Sequence, residues 1–313
     1  MESKEMRAVY CDTLIDLAKE NPAIMVVEAD LMKASGTMRF KDVFPERAVD
    51  VGVAEANMVG VAAGLSAAGK IPFAATFGCF ASRRVFDQFF ISANYTGLNV
   101  KLIGTDPGIS AGFNGGTHMP FEDIGMMKLI PGLTILEPSD PVSLKALVKE
   151  CAAHQGCTYM RLHRKPIKEI YQPGEKFELG KGKVLVDGND VTIIALGAIL
   201  VPEAIKAASI LAEQGTSAAV IDMHTVKPLD EELVLKYAKK TRCIVTAENH
   251  QVSGGLGASV ANYLSLVHPT RIAMVGVQDE FGQVATPAWL QQYYKMTAEE
   301  IAKQATSLVK AKN

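Results

Sequence analysis

Glu55 is the carboxylate in this chain best placed to do chemistry. It stands in Val51-Gly52-Val53-Ala54-Glu55-Ala56-Asn57-Met58, where a strand-like run meets a helix-like one inside an otherwise apolar stretch. In an open α/β sheet, ligands bind just beyond the carboxyl ends of the strands. A carboxyl group there, poor in water, tends to keep its proton. A plainer reading is also open, because the helix dipole alone favours an acid at a helix N-terminus.

Two more stretches can line a site. Thr76-Phe77-Gly78-Cys79-Phe80 ends a strand-like run with two aromatics three apart. They can wall a flat heteroaromatic ring, or simply pack a core. Gly104 to His118 carries five glycines in fifteen residues, with Asp106, Asn114 and His118 among them. Glycine at that density predicts an irregular loop whose backbone can approach a ligand closely. A histidine at its end can hydrogen-bond a hydroxyl or move a proton. A plain surface loop is the alternative.

Other features are weaker. Ser253-Gly254-Gly255-Leu256-Gly257 lacks the lysine and spacing of a phosphate loop and reads as tight helix packing. Arg161 and Arg164 can clamp a phosphate through their forks, but an arginine pair is more often structural. His163 between them has no special claim.

The elements that must position these groups alternate. Strands are predicted over 23–28, 48–54, 72–77, 100–104 and 133–136, with helices over 1–20, 55–69, 81–95 and 141–154. Residues 165–183 mix Pro and Gly with Lys and Glu, as a linker does. Beyond it strands are predicted over 190–197, 218–222, 243–247 and 272–277. Helices are predicted from Pro202 to Gly215 and over 230–239 and 253–266, with Thr297 and Glu300 boxing the start of a last one. The expected fold is α/β, as two three-layer α/β domains with mainly parallel sheets. The expected boundaries are 1–167, a linker at 168–183, and 184–313.

Composition narrows the function. The 313 residues are 48% hydrophobic and 21% charged with net charge −2, which gives no basic excess for nucleic acid or an anionic membrane. No apolar run is long enough to cross a bilayer, and the first residues show no secretory signal, so a cytoplasmic protein is expected. The five cysteines form no C-x-x-C pair and have no histidine at zinc-ligand spacing, which points to reduced, buried thiols.

Taken in order, these segments resemble the transketolase family. The match runs through Ala29-Asp30-Leu31, Val51 to Met58, Pro72 to Phe80, Asp87-Gln88 and Leu98 to Gly104. It continues through Gly115-Gly116-Thr117-His118, Glu122-Asp123, Ile130-Pro131-Gly132 and Pro138-Ser139-Asp140. Thr225 to Asp230, Glu248-Asn249-His250 and Gly254 to Gly257 complete it. Such enzymes hold a pyrophosphate-binding, a pyrimidine-binding and a C-terminal domain, and this sequence resembles the last two. The Gly-Asp-Gly motif of the first is absent from it. The resemblance therefore implies either a fragment or the C-terminal subunit of a two-chain transketolase, and the subunit is the reading expected. Its cofactor is thiamine diphosphate, with Mg²⁺ or Ca²⁺ bound by an N-terminal partner subunit, in a dimer of heterodimers.

The resemblance also implies roles. Glu55, as a protonated acid, donates to the cofactor's aminopyrimidine ring; Phe77 and Phe80 enclose that ring, and Asp30 lies near it. His118 contacts the donor sugar, and Arg7 and Arg164 bind sugar phosphate. Arg83 stands where many members have tyrosine. Asn114 stands in place of aspartate and Asp106 in place of a phosphate-binding histidine, which implies a variant sugar. Three alternatives stay open: a 2-oxo acid dehydrogenase beta subunit, a deoxyxylulose-phosphate synthase-like half, and a non-catalytic assembly subunit.

Overall fold

Short runs of branched apolar residues become the strands of two sheets in a computed structural model describing residues 3–312. Ile24–Glu28 is buried at every position, as a parallel strand covered on both faces must be. It pairs in parallel with Ile71–Phe77 and with Ala48–Asp50. Lys101–Thr105, Thr158–Leu162 and Thr134–Leu136 extend the sheet, also in parallel. The seventh strand, Thr225–Lys227, comes from the second half of the chain and closes the edge antiparallel.

The second sheet has five strands in the order Arg271–Val277, Cys243–Gln251, Val191–Ala195, Ala218–Asp222 and Lys183–Val186. All pair in parallel except Lys183–Val186. Helices cover both faces of each sheet. Met6–Glu20 and Pro141–Ala153 pack Tyr10, Leu14, Leu144 and Leu147 against one face of the first sheet. Glu55–Ala67 packs Met58, Val59 and Ala62 against the other. That core runs on into the second sheet through Ile194 and Ile221 and reaches Leu256 on a helix that covers it. All five cysteines are buried and free. No described helix is long and apolar enough to cross a membrane.

Several expected elements change form. The helix placed over 1–20 begins at Met6, after a short strand, Ser3–Glu5; Met1 and Glu2 lie outside the described residues. The strand placed over 48–54 ends at Asp50. The helix placed over 81–95 is wound wide at Phe80–Arg84 and Phe89–Tyr95, with one tight turn between. Such π-type turns re-aim side chains that a regular helix would stack. Pro202 does not open its helix, which starts at Gly197 and takes the proline into its second turn. Burial of Ala198, Leu200, Val201 and Ala204 holds the helix despite the missing donor. The glycine loop is not wholly irregular either: Gly108–Asn114 forms tight 3₁₀ turns broken at Gly112.

Candidate active site

The carboxyl ends of the parallel strands bring most of the expected residues together. Glu55 is the first residue of its helix and is 3% exposed. Both of its carboxylate oxygens accept from Arg84 Nη1, at 2.8 and 2.9 Å. The Arg84 guanidinium lies 4.1 Å from the centroid of the Phe80 ring. Phe77 closes its strand and tilts against Phe80, with centroids 6.2 Å apart. His118 meets both rings edge-on, at 5.8 Å from Phe77 and 5.3 Å from Phe80. Glu55, Arg84, Phe80, Phe77 and His118 thus form one contact chain.

The glycine loop is fixed at both ends. Thr117 Oγ1 lies 2.8 Å from His118 Nδ1. Arg83 donates to the Thr117 carbonyl at 2.9 Å and pairs with Glu122 at 3.3 Å. At the other end the Asn249 side chain donates to the Pro107 carbonyl at 2.8 Å and accepts from the Ile109 N–H at 3.0 Å. Cys79, Phe80, Arg83, Arg84, Thr117 and His118 line a cleft of about 460 Å³. A heteroaromatic ring fits such a space, with a buried carboxyl group behind Arg84.

A second cluster lies across Phe77. The Arg164 guanidinium is 5.2 Å from that ring and grips Asp106 through two hydrogen bonds. Arg164 and Arg7 both donate to the Ala34 carbonyl, at 2.9 and 3.1 Å. Arg7 also pairs with Glu5 at 2.8 Å. His163 faces Ser110 at 2.9 Å, and burial pushes its pKa down to about 4, so it brings no charge.

Two expected residues stand apart. Asp30 and Asn114 are exposed, and neither side chain has a hydrogen-bond partner among the described residues. Arg161 is no phosphate clamp. It is fully buried, bound to Asp123 at 2.9 Å and Glu137 at 2.5 Å, and it donates to the Asn249 carbonyl at 2.9 Å. The Gly254–Gly257 turn closes on a carboxylate of the chain itself. Glu248 accepts from the N–H groups of Leu256 and Gly257 at 2.7 and 2.8 Å, and a Cβ on Gly255 would lie 1.8 Å from it. Sequence reasoning missed Arg84; two successive arginines in an apolar segment were the available signal.

Family models match the chain twice, as the pyrimidine binding domain of transketolase over residues 2–168 and the transketolase C-terminal domain over residues 180–301. The chain belongs to the transketolase family. It is similar to a 6-deoxy-6-sulfo-D-fructose transketolase subunit of Clostridium sp. (strain MSTE9), at 49% identity over 100% of this chain and 97% of that one. It is also similar to an apulose-4-phosphate transketolase subunit of Phocaeicola vulgatus, at 34% identity over 97% of each. A solved split gene transketolase, an inactive beta4 tetramer, matches with TM-score 0.92 at 41% identity over 99% of both chains. These relatives, of about the same length as this chain, are described as transketolase subunits or as the product of a split gene.

Proposed function

We propose that this chain is the C-terminal subunit of a thiamine-diphosphate-dependent transketolase, which moves a two-carbon ketol unit from a ketose to an aldose phosphate. One observation carries the reading. A buried carboxyl group at the carboxyl edge of a parallel sheet adjoins an aromatic cleft, in a chain that matches only two of the family's domains. When bound, thiamine diphosphate supplies the carbon nucleophile that carries the two-carbon unit. The rest is the protein's work. Glu55 holds a proton toward the aminopyrimidine ring and Phe77 and Phe80 wall that ring from water; Asp30, which stands apart from them, is given a place near the cofactor by the family resemblance alone. His118, held by Thr117, offers a proton to a donor-sugar hydroxyl, with Asn114 at the loop's outer end. Arg7 and Arg164 face the sugar's terminal anion.

The diphosphate and its Mg²⁺ or Ca²⁺ fall to a partner subunit carrying the pyrophosphate-binding domain, in a cytoplasmic dimer of heterodimers. The donor's terminal anion is a phosphate or a sulfonate, since relatives act on 6-deoxy-6-sulfo-D-fructose and on apulose 4-phosphate. The test mixes the chain with such a partner, thiamine diphosphate and Mg²⁺, then offers ketose with aldose phosphates, or pyruvate. Sugar interconversion is expected only with both chains present. Pyruvate decarboxylation without it would overturn the reading in favour of a 2-oxo acid dehydrogenase subunit.

A further inference from the structure

Glu28 ends the strand Ile24–Glu28 at the carboxyl edge of the first sheet, after four apolar residues, and is fully buried. A carboxyl group taken out of water needs hydrogen bonds. Its Oε1 has two: it accepts from Ser35 Oγ at 2.5 Å and from Thr37 Oγ1 at 2.6 Å. Its Oε2 has none among the described residues. Ser35 and Thr37 are buried too, and the Ser35 N–H closes a turn onto the Leu31 carbonyl at 2.8 Å. The segment 31–37 is thus tied to one oxygen of an acid that the proposed function does not use. A valine would suit the strand better, but it would leave both hydroxyls without that acceptor.

The same segment touches the arginines. Residues 35 and 37 meet Glu28; residues 34 and 36 meet Arg7. The Ala34 carbonyl accepts from Arg164 Nη1 at 2.9 Å and from Arg7 Nη1 at 3.1 Å. Gly36 holds a left-handed φ of +87, and a Cβ there would stand 3.2 Å from the Arg7 carbonyl and 3.4 Å from Arg7 Cβ and Cγ. Arg7 is therefore met at its stem by one residue of the segment and at its guanidinium by another. The other partner of that guanidinium is Glu5, whose side chain is 39% exposed. Arg164 has a firmer second anchor in buried Asp106. Of the two arginines, Arg7 depends more on the segment.

We propose that Glu28 is a positioning residue for sugar binding: through Ser35 and Thr37 it fixes the Ala34 carbonyl and Gly36, and these fix the Arg7 guanidinium where the anionic end of a phosphorylated sugar meets it. Glu28 itself touches no substrate. The two hydroxyls transmit position rather than charge, so an amide oxygen serves them as well as a carboxyl oxygen does. Without that acceptor residues 34 and 36 shift. A displaced guanidinium fork then loses bonds to an oxyanion, because such bonds are steeply directional. The substrate here rests on the transketolase reading; the tie between Glu28 and Arg7 rests on the contacts alone.

The test uses the assembled two-chain enzyme with thiamine diphosphate and Mg²⁺, and compares fructose 6-phosphate with fructose as donor. The two sugars differ only in the anion. Calorimetric affinity, kcat and KM are measured for wild type, Glu28→Gln, Glu28→Leu and Thr37→Val. Glu28→Leu should lose roughly tenfold in affinity and kcat/KM for fructose 6-phosphate, the scale of one charge-assisted hydrogen bond, through KM and with kcat unchanged. The values for fructose should hold. Thr37→Val removes one of the two hydroxyls at nearly equal volume and should lose roughly threefold in the same pattern. It decides the matter if Glu28→Leu fails to fold. Glu28→Gln should stay within roughly twofold of wild type. Equal losses for both sugars, which a purely structural acid would give, overturn the inference. So does the absence of any loss, or a Glu28→Gln variant as impaired as Glu28→Leu. A phosphate-specific loss of affinity, in an enzyme that turns over neither sugar, keeps the inference and removes the transketolase reading. Turnover without that loss does the reverse.

Discussion

Arg84 Nη1 donates to both carboxylate oxygens of Glu55, at 2.8 and 2.9 Å, so the buried acid faces the cleft through a cation. Held this way Glu55 only accepts. To donate toward a cofactor ring it must leave Arg84 and take a proton. The Arg84 side chain is 48% exposed. Under the proposed function, Glu55→Ala in the assembled enzyme loses at least a hundredfold in kcat, the usual scale of a lost acid–base group. Its melting temperature stays close to wild type, since the partner left behind is half in solvent. A variant with full activity refutes the role given to Glu55.

Arg84→Gln tests the same pair from the other side. Removing a competitor for Glu55 raises the fraction of chains ready for the cofactor. Calorimetric titration of the assembled protein should give thiamine diphosphate binding tighter by roughly fivefold. Arg84→Lys, which keeps the charge, should restore most of the wild-type affinity. Unchanged binding in both variants would make the pair a bystander.

The strands were legible because burial on both faces leaves continuous apolar runs such as Ile24–Glu28. The partners of the site residues were not. Glu55 and Arg84 lie 29 residues apart, and Asp106 and Arg164 lie 58 apart. Helix and strand periods relate only near neighbours, so no pattern rule reaches such pairs. The wide turns at Phe80–Arg84 were hidden for another reason. Phe80, Ala81 and Ser82 carry no signal against an ordinary helix, and only packing selects the extra residue.

Arg161 shows what holds the two halves together. It and its partners Asp123 and Glu137 are at most 2% exposed. The same guanidinium donates to Asn249, on the second half's longest strand. Arg161→Met leaves two carboxylates buried without their cation. Chemical denaturation should show a loss of about 3–5 kcal/mol, the scale for breaking a buried pair from one side. A loss below about 1 kcal/mol would mean that the two acids take up protons at no cost.

Stability should depend on pH through groups outside the site. Burial pushes Glu28 up to about 8 and Asp222 and Glu248 up to about 7. Each binds its proton more tightly folded than unfolded. Its contribution is therefore complete below about pH 4 and is lost as pH climbs through the folded value. Burial holds His163, His224 and His250 down at about 4, so their contribution is complete above about pH 6.5 and is lost as pH falls. The two sets oppose each other between those limits. Above about pH 6.5 the histidines no longer change, and stability should decline toward pH 8, where the Lys101 amine, pulled down to about 8 by burial, begins to oppose the decline. Glu28→Gln, neutral at every pH, should lessen that decline by up to about 1.4 kcal/mol per pH unit. An unaltered slope would place the proton elsewhere.

Asn249 ties the second half of the chain to the chemistry. Its amide bonds both sides of Gly108, which sits at φ +49, and a Cβ on that glycine would lie 2.1 Å from Asn249 Oδ1. The staple fixes the start of the loop whose other end carries His118. Asn249→Ala leaves the buried Ile109 N–H without its partner, at about 1–3 kcal/mol, and leaves the Pro107 carbonyl only the Ser110 N–H. The freed loop no longer holds the imidazole against Phe77 and Phe80. Small misplacement of a positioned group costs as much as a hundredfold in rate. The variant should therefore lose roughly ten- to a hundredfold in kcat/KM for sugar turnover, while its affinity for thiamine diphosphate changes little, because Glu55 and Arg84 lie on other elements. Gly108→Ala, which forces the same parts apart, should reproduce that split. A matching loss of cofactor affinity would show that Asn249 supports the whole site rather than the loop.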